Sequence, residues 1–262
     1  MTLTVALAAL AAVLALAAVT WVVSVVREDA SYADRIWGPF FVVTAWTSLA
    51  AADEVTTRGV LVAVLVTIWG VRLAAHVTRR SWGEGEDPRY TAMRERNRST
   101  FARRSLVTVF ALQAVMAWVV SAPLFAVAVA DHPAGLTWVD AVAGVVWLAG
   151  FLTEAVADRQ LARFRADPAN ADRVLDTGLW RYSRHPNYFG DAVMWWGFGI
   201  FALAVGAWPA LLGPVVMTVL IVKVSGVALT ERRMAVVSRR RGHADYVART
   251  NAFVPGPPRR RR

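Results

Sequence analysis

Three groups of polar side chains interrupt long apolar stretches of this sequence, and each has helical spacing. Arg72, His76 and Arg80 follow an i, i+4, i+8 pattern. Glu154, Asp158 and Arg165 follow i, i+4, i+11, and Asn187 and Asp191 stand one turn apart. On a helix each group shares one face. Ionisable residues inside apolar helices are costly and by default mark function. Snorkelling of helix-end arginines to lipid headgroups is the structural alternative for Arg79, Arg80 and Arg165. It fits the acids poorly, because Asp158 and Asp191 gain little from anionic headgroups.

The stretch GLWRYSRHPNYFGDAVMWWGFG, residues 178–199, is the richest. Pro186 suits the first turn of a helix, where its missing N–H is harmless, and Ser183 or His185 is placed to cap it. A helix start flanked by Arg181 and Arg184 suits a phosphate or pyrophosphate group. Gly190 and Gly197 permit close approach of a neighbouring helix or a flat ligand. Other chemistries lack their residues. There is no GxGxxG, P-loop or serine-nucleophile motif. His76, His132, His185 and His243 show no metal-ligand spacing, so no metal is expected. Cysteine is absent, which removes disulfides and thiolate sites.

The elements that position these groups are membrane helices. Hydrophobic residues make up 56% of the 262, above the roughly 45–50% of ordinary globular chains. Apolar runs at about 3–26, 37–52, 59–77, 106–130, 135–156, 188–206 and 209–229 predict an all-α, multi-pass bundle of seven transmembrane helices. Six is the fallback, because the second run is short and broken by Gly38-Pro39. The first run lacks a basic leader and is read as a retained span. The net charge of +10 sits in the connections after runs three, five and seven. The intervening connections are almost free of basic residues, so the positive-inside rule puts the N-terminus outside and the C-terminus in the cytoplasm. The arginines therefore read as topology signals, and nucleic acid is not an expected partner. A single domain with a basic tail over 231–262 is expected, embedded in the cell membrane.

Several motifs resemble bacterial membrane proteins allied to the steroid 5-alpha-reductases and, more distantly, the sterol C14 reductases. They are DRIWG (34–38), WGVRLAAHVTRR (69–80), GEDPRY (85–90), Leu112-Gln113, EAVADRQLARFRADPAN (154–170), VLDTGLWRYSRHPNYFGD (174–191) and DYVARTNAFVPGPP (245–258). The resemblance implies a seven-helix fold whose cytoplasmic half holds NADPH. By position it implies cofactor contacts from Asn187, Asp191, Asp158, Arg165, Arg173 and Arg72, with Arg232 and Arg233 as the basic group on the last helix. Glu154 and Arg184 join them on spacing and charge. The implied reaction is hydride transfer to the β-carbon of a C=C conjugated to a carbonyl in a lipophilic substrate, with an acid polarising the carbonyl.

The sequence departs from the steroid reductases in lacking their Gln-Glu pair. Their third-helix tyrosine falls near Trp69. Asp34 is the candidate replacement acid, with Tyr32 and His76 behind it. Two other readings stand beside the reductase. One is an S-adenosylmethionine-dependent methyltransferase resembling the isoprenylcysteine carboxyl methyltransferases, which share an RHPxYxG segment; the place of their paired glutamates reads Thr230-Glu231-Arg232-Arg233 here. The other is a non-catalytic lipid-binding or scaffold protein.

Overall fold

The computed structural model describes residues 2–133, 135–237 and 242–259; the side chains of Thr2 and of residues 233–237 lie outside that description, as do Arg239, Arg240, Arg241 and the last three arginines. Among the described residues every regular element is helical, as the apolar runs predict. In order they are α1 (Thr2–Val26), α2 (Tyr32–Arg35), α3 (Trp37–Ala50), α4 (Thr57–Ser81), α5 (Pro88–Asn97), α6 (Phe101–Ser105), α7 (Leu112–Val120), α8 (Ala122–Ala128), α9 (Trp138–Ala166), α10 (Pro186–Ala204), α11 (Leu212–Val219), α12 (Val227–Val237) and α13 (His243–Arg249).

Five stretches are long and apolar enough to cross a bilayer: Leu3–Val26, Thr57–Ser81, Pro88–Val120, Trp138–Ala166 and Trp208–Arg232. These make the chain a multi-pass membrane protein. The other two expected runs also fold as helices. However, α3 has 14 residues, about 21 Å at 1.5 Å per residue, and α10 carries Asn187 and Asp191 in its first two turns. Two of the long stretches are not continuous α-helix. Leu106–Ala111 and Leu220–Val224 are π-helical, and Ser225-Gly226 then separates the last π-turn from α12.

The chain divides into two compact units, Met1–Thr137 with Phe201–Gly213, and Trp138–Ile200 with Pro214–Arg262. In the first, α3 is surrounded by α1, α4, α7 and α8. Its tightest contact is glycine on glycine: a Cβ on Gly38 would strike the Gly70 carbonyl oxygen, and one on Gly70 would come within 2.8 Å of Gly38 O. Phe41 packs on the fully buried Trp69, with ring centroids 5.5 Å apart. At the start of α4, Arg58 is only 2% exposed. It donates to Pro133 O and Gly135 O at 2.9 and 2.6 Å, tying down the loop before α9.

In the second unit α9 and α10 cross at small residues. A Cβ on Gly190 would lie 2.5 Å from Glu154 N, one on Gly150 would strike Met194 N, and one on Gly197 would lie 2.7 Å from Trp147 N. Small residues let helix backbones approach where apolar burial gives no preference over lipid. The glycines noted for close approach serve this helix pair.

Candidate functional site

The α9–α10 crossing decides which polar groups meet in the second unit. With Gly190 against the Glu154 backbone, Asn187 lies about one turn back along α10 and Asp158 one turn on along α9. Asn187 Nδ2 donates to Asp158 Oδ1 at 3.1 Å. Glu154 and Asp158 are 4% and 5% exposed, and Asp191 is half-buried on the next turn of α10. Asn187 Oδ1 is fully buried and has no hydrogen-bond partner. A buried amide carbonyl without a donor is costly, so this oxygen is poised to accept an N–H or O–H.

The segment leading into α10 is fixed by the C-terminal part of the chain. Arg184 grips Glu231 with two bonds, Nε to Oε1 at 3.0 Å and Nη2 to Oε2 at 2.8 Å. Its Nη1 donates to Val247 O and Thr250 O at 3.0 and 2.6 Å, and its backbone N–H to Asn251 O at 2.9 Å. The bidentate fork suits a guanidinium and a carboxylate. His185 Nε2 lies 2.8 Å from the same Glu231 Oε1. Ser183 Oγ accepts the His185 N–H at 3.1 Å and donates to Phe253 O at 2.7 Å, so Ser183 ties the turn before α10 to the C-terminal segment. Gly256 N–H donates to Tyr182 O at 3.0 Å, and Phe189 meets Phe253 edge-on. Tyr246 Oη donates to Trp180 O at 2.7 Å; burial holds its hydroxyl above the usual tyrosine range and keeps it a donor. Upstream, Gly178 adopts a φ of +59° against Gln160, whose Oε1 accepts the Leu179 N–H at 3.1 Å. Beside this scaffold a polar cleft of about 610 Å³ is lined by Asp172, Arg173, Asp176, Asp245, Tyr246 and Arg249, among others. Arg249 and Asp176 form an ion pair across it.

In the first unit Asp34 anchors a second cluster. It accepts from Arg89 Nη2 at 2.5 Å and from Tyr90 Oη at 2.7 Å, while Gln113 Nε2 reaches Tyr90 Oη at 3.4 Å. Both Asp34 carboxylate oxygens are acceptors, and Tyr90 Oη is the donor in its bond to Asp34. Arg89 also holds Asp87, whose N–H donates to Ser31 Oγ at 2.8 Å. Glu86 accepts from Ala30 N–H at 2.8 Å and from Arg94 at 2.7 and 3.1 Å. Burial opposes the Glu86 charge, but the Arg94 and Ala30 bonds outweigh it and hold the carboxyl below its usual range. These bonds dock the 29–35 segment onto the 86–94 segment. Tyr32 lies under the Arg35 guanidinium at 4.3 Å, and Arg35 pairs with Asp29.

The residues singled out from the sequence are thus dispersed over several settings. Asn187 and Asp158 meet, with Glu154 and Asp191 beside them. Arg72 and His76 are half-buried on α4, against which α2 packs. Arg165 and Arg173 are exposed, Arg173 in the cleft wall. Arg184 is spent on Glu231 and three carbonyl groups' worth of backbone, counting its own N–H. Arg232 is exposed, and the Arg233 side chain lies outside the described residues. Tyr90, Gln113, Glu231, Tyr246 and Gln160 are the participants that spacing missed. Tyr90, Gln113, Gln160 and Tyr246 sit within the motifs GEDPRY, Leu112-Gln113, EAVADRQLARFRADPAN and DYVARTNAFVPGPP, and Glu231 follows the last apolar run; a partner elsewhere in the fold is the missing information.

Fold and site together define an all-α multi-pass membrane protein with acid and amide groups clustered on adjoining helices. The chain belongs to the family described as protein of unknown function (DUF1295), whose pattern matches residues 20–250. It is similar to an uncharacterized protein of Schizosaccharomyces pombe, C594.04c, with 24% identity over 207 residues that cover 70% of this chain. The chain spans about 60% of that relative's length. No solved structure matches it.

Proposed function

We propose that this protein is a membrane-embedded reductase that uses NADPH to reduce a C=C bond conjugated to a carbonyl in a lipophilic substrate. The observation that carries this reading is the Asn187–Asp158 pair at the α9–α10 crossing, with its buried, unpartnered Asn187 Oδ1. That oxygen fits the N–H of a carboxamide, and Asp158 fixes which way the Asn187 amide points. Glu154 and Asp191 supply acceptors of the kind that ribose hydroxyls require. Arg173 and Arg165 are the exposed cations suited to phosphate. Arg184 acts instead as a positioning residue, because phosphate binding there would cost it Glu231. When bound, the reduced nicotinamide supplies the hydride. In the first unit, Asp34 holds Arg89 and Tyr90, with Tyr90 Oη as the hydroxyl donor of that cluster.

The test is direct binding. Purified protein is expected to shift its thermal transition with NADPH, and Asn187→Ala is expected to weaken that response while leaving the fold intact. A response to S-adenosylmethionine with none to NADPH would overturn the reading. That second outcome is the methyltransferase alternative, and one observation favours it: Glu231 holds both Arg184 and His185 of the RHPxYxG segment, joining the two places on which that likeness rests.

The topology belongs to the same proposal. We read α3 and α10 as completing seven passes with the N-terminus outside and the C-terminus cytoplasmic, supported by the alternation of arginine-rich and arginine-poor connections. Reporter fusions at the two ends are expected to fall on opposite sides; both on one side would refute an odd number of passes.

A further inference from the structure

The stretch 79–104 of the first unit carries eight arginines and four acids, and the structure sorts them. Arg89 is held by Asp34 and Asp87, and Arg94 by Glu86. Two of the four acids are thereby used internally. Arg79, Arg80, Arg96, Arg98, Arg103 and Arg104 remain exposed, against only Glu84 and Glu95. Arg104 spends one nitrogen on the neutral Asn97 amide oxygen, which leaves its charge unbalanced. The six arginines belong to three connected pieces: the last turn of α4, the end of α5 with the Arg98 turn (φ +39°), and α6, on which α5 packs.

The level of this surface is set by what precedes and follows it. Along α4 the exposed residues Val60, Val64, Ile68 and Val71 form an apolar stripe that ends at Arg79 and Arg80, followed by Trp82, 76% exposed. After α6 the exposed Val107, Leu112 and Val115 begin another stripe. Apolar stripes that stop at arginines and an exposed tryptophan mark the boundary between acyl chains and headgroups. An excess of guanidinium groups at that depth meets phosphate, and it meets net negative charge only on anionic lipids.

We infer that the 79–104 surface is a docking site for the headgroups of anionic phospholipids, retained in preference to zwitterionic ones. The inference stands apart from the reductase reading, since it uses none of the Asn187 cluster. The test is lipid retention by the purified full-length chain, measured by native mass spectrometry after equilibration with vesicles of phosphatidylcholine alone or mixed with phosphatidylglycerol. Phosphatidylglycerol is expected to be retained in preference. Arg79→Gln/Arg80→Gln and, separately, Arg103→Gln/Arg104→Gln are each expected to weaken retention by roughly fivefold per arginine, the equivalent of about 1 kcal/mol per charge near an anionic surface. Lysine at the same pairs is expected to restore it. Equal retention of the two lipids, or retention unchanged in both glutamine pairs, would overturn the inference. So would full displacement by inorganic phosphate, which would mark a free-anion site instead.

Discussion

Removing Glu231 tests whether the C-terminal segment is held by Arg184 or merely lies beside it. The change Glu231→Ala deletes two guanidinium bonds and the His185 contact, but leaves Arg184 its bonds to Val247 O and Thr250 O. Breaking a fully buried ion pair costs about 3–5 kcal/mol, whereas an exposed one is worth about 0–1 kcal/mol. With side-chain exposures of 14% for Arg184 and 32% for Glu231, the loss falls between these limits, at about 2 kcal/mol. Arg184→Ala removes the carbonyl bonds as well and is expected to cost more. If the two act through each other, the double variant is less destabilised than the sum, with a coupling of about 1–3 kcal/mol. The assay is tryptophan-monitored thermal unfolding in detergent, where about 2 kcal/mol corresponds to roughly 4–8 °C for a chain of this size. Limited proteolysis between Gly242 and Arg259 gives an independent readout. If Glu231→Ala matches the parent in both measurements, or if the two single effects simply add, the Arg184–Glu231 pair does not hold the C-terminal segment.

Other outcomes follow from the same structure. Tyr90→Phe is expected to destabilise by about 1 kcal/mol through loss of its bond to Asp34, and an unchanged thermal transition would show that this bond contributes nothing. Gly150→Ala is expected to destabilise by about 1–3 kcal/mol, because its Cβ meets the α10 backbone. Gly144→Ala, with no heavy atom near its Cβ, is expected to stabilise by up to about 1 kcal/mol through helix propensity; like effects at both positions would contradict the packing. Because Glu86 ionises below its ordinary value of 4.5, its stabilisation is complete above that value and fades as pH falls through the lower folded value. Glu86→Gln should therefore flatten the acid side of the thermal-stability profile, and parallel profiles would exclude this contribution.

The membrane helices were legible because length and apolarity are local properties, and the runs at 3–26, 59–77 and 209–229 lie within helical spans. The run at 135–156 continues ten residues further, to Ala166, since arginines such as Arg159 and Arg163 extend a helix as readily as leucine does. The 106–130 run is interrupted by a π-turn and by Ser121 before Pro123, which no periodicity announces. In the site, the i, i+4 rule placed Glu154 and Asp158 on one face, and Asn187 and Asp191 on another. It could not show that these faces meet, because that depends on Gly150 and Gly190 letting two backbones touch. Nor could charge alone distinguish Arg173, open in a cleft wall, from Arg184, spent on an acid 47 positions away.

The mutual contact of Gly38 and Gly70 bears on how the protein enters its bilayer. A helix about 21 Å long falls short of a hydrocarbon core of about 30 Å on its own, and half of the α3 residues are already buried against protein. Such a segment has little of its own to partition, so α3 is expected to integrate as a hairpin with α4, after translation has passed residue 81. Chains cut shortly after Ala50 should leave it accessible to a water-soluble label, whereas chains extended through Ser81 should protect it.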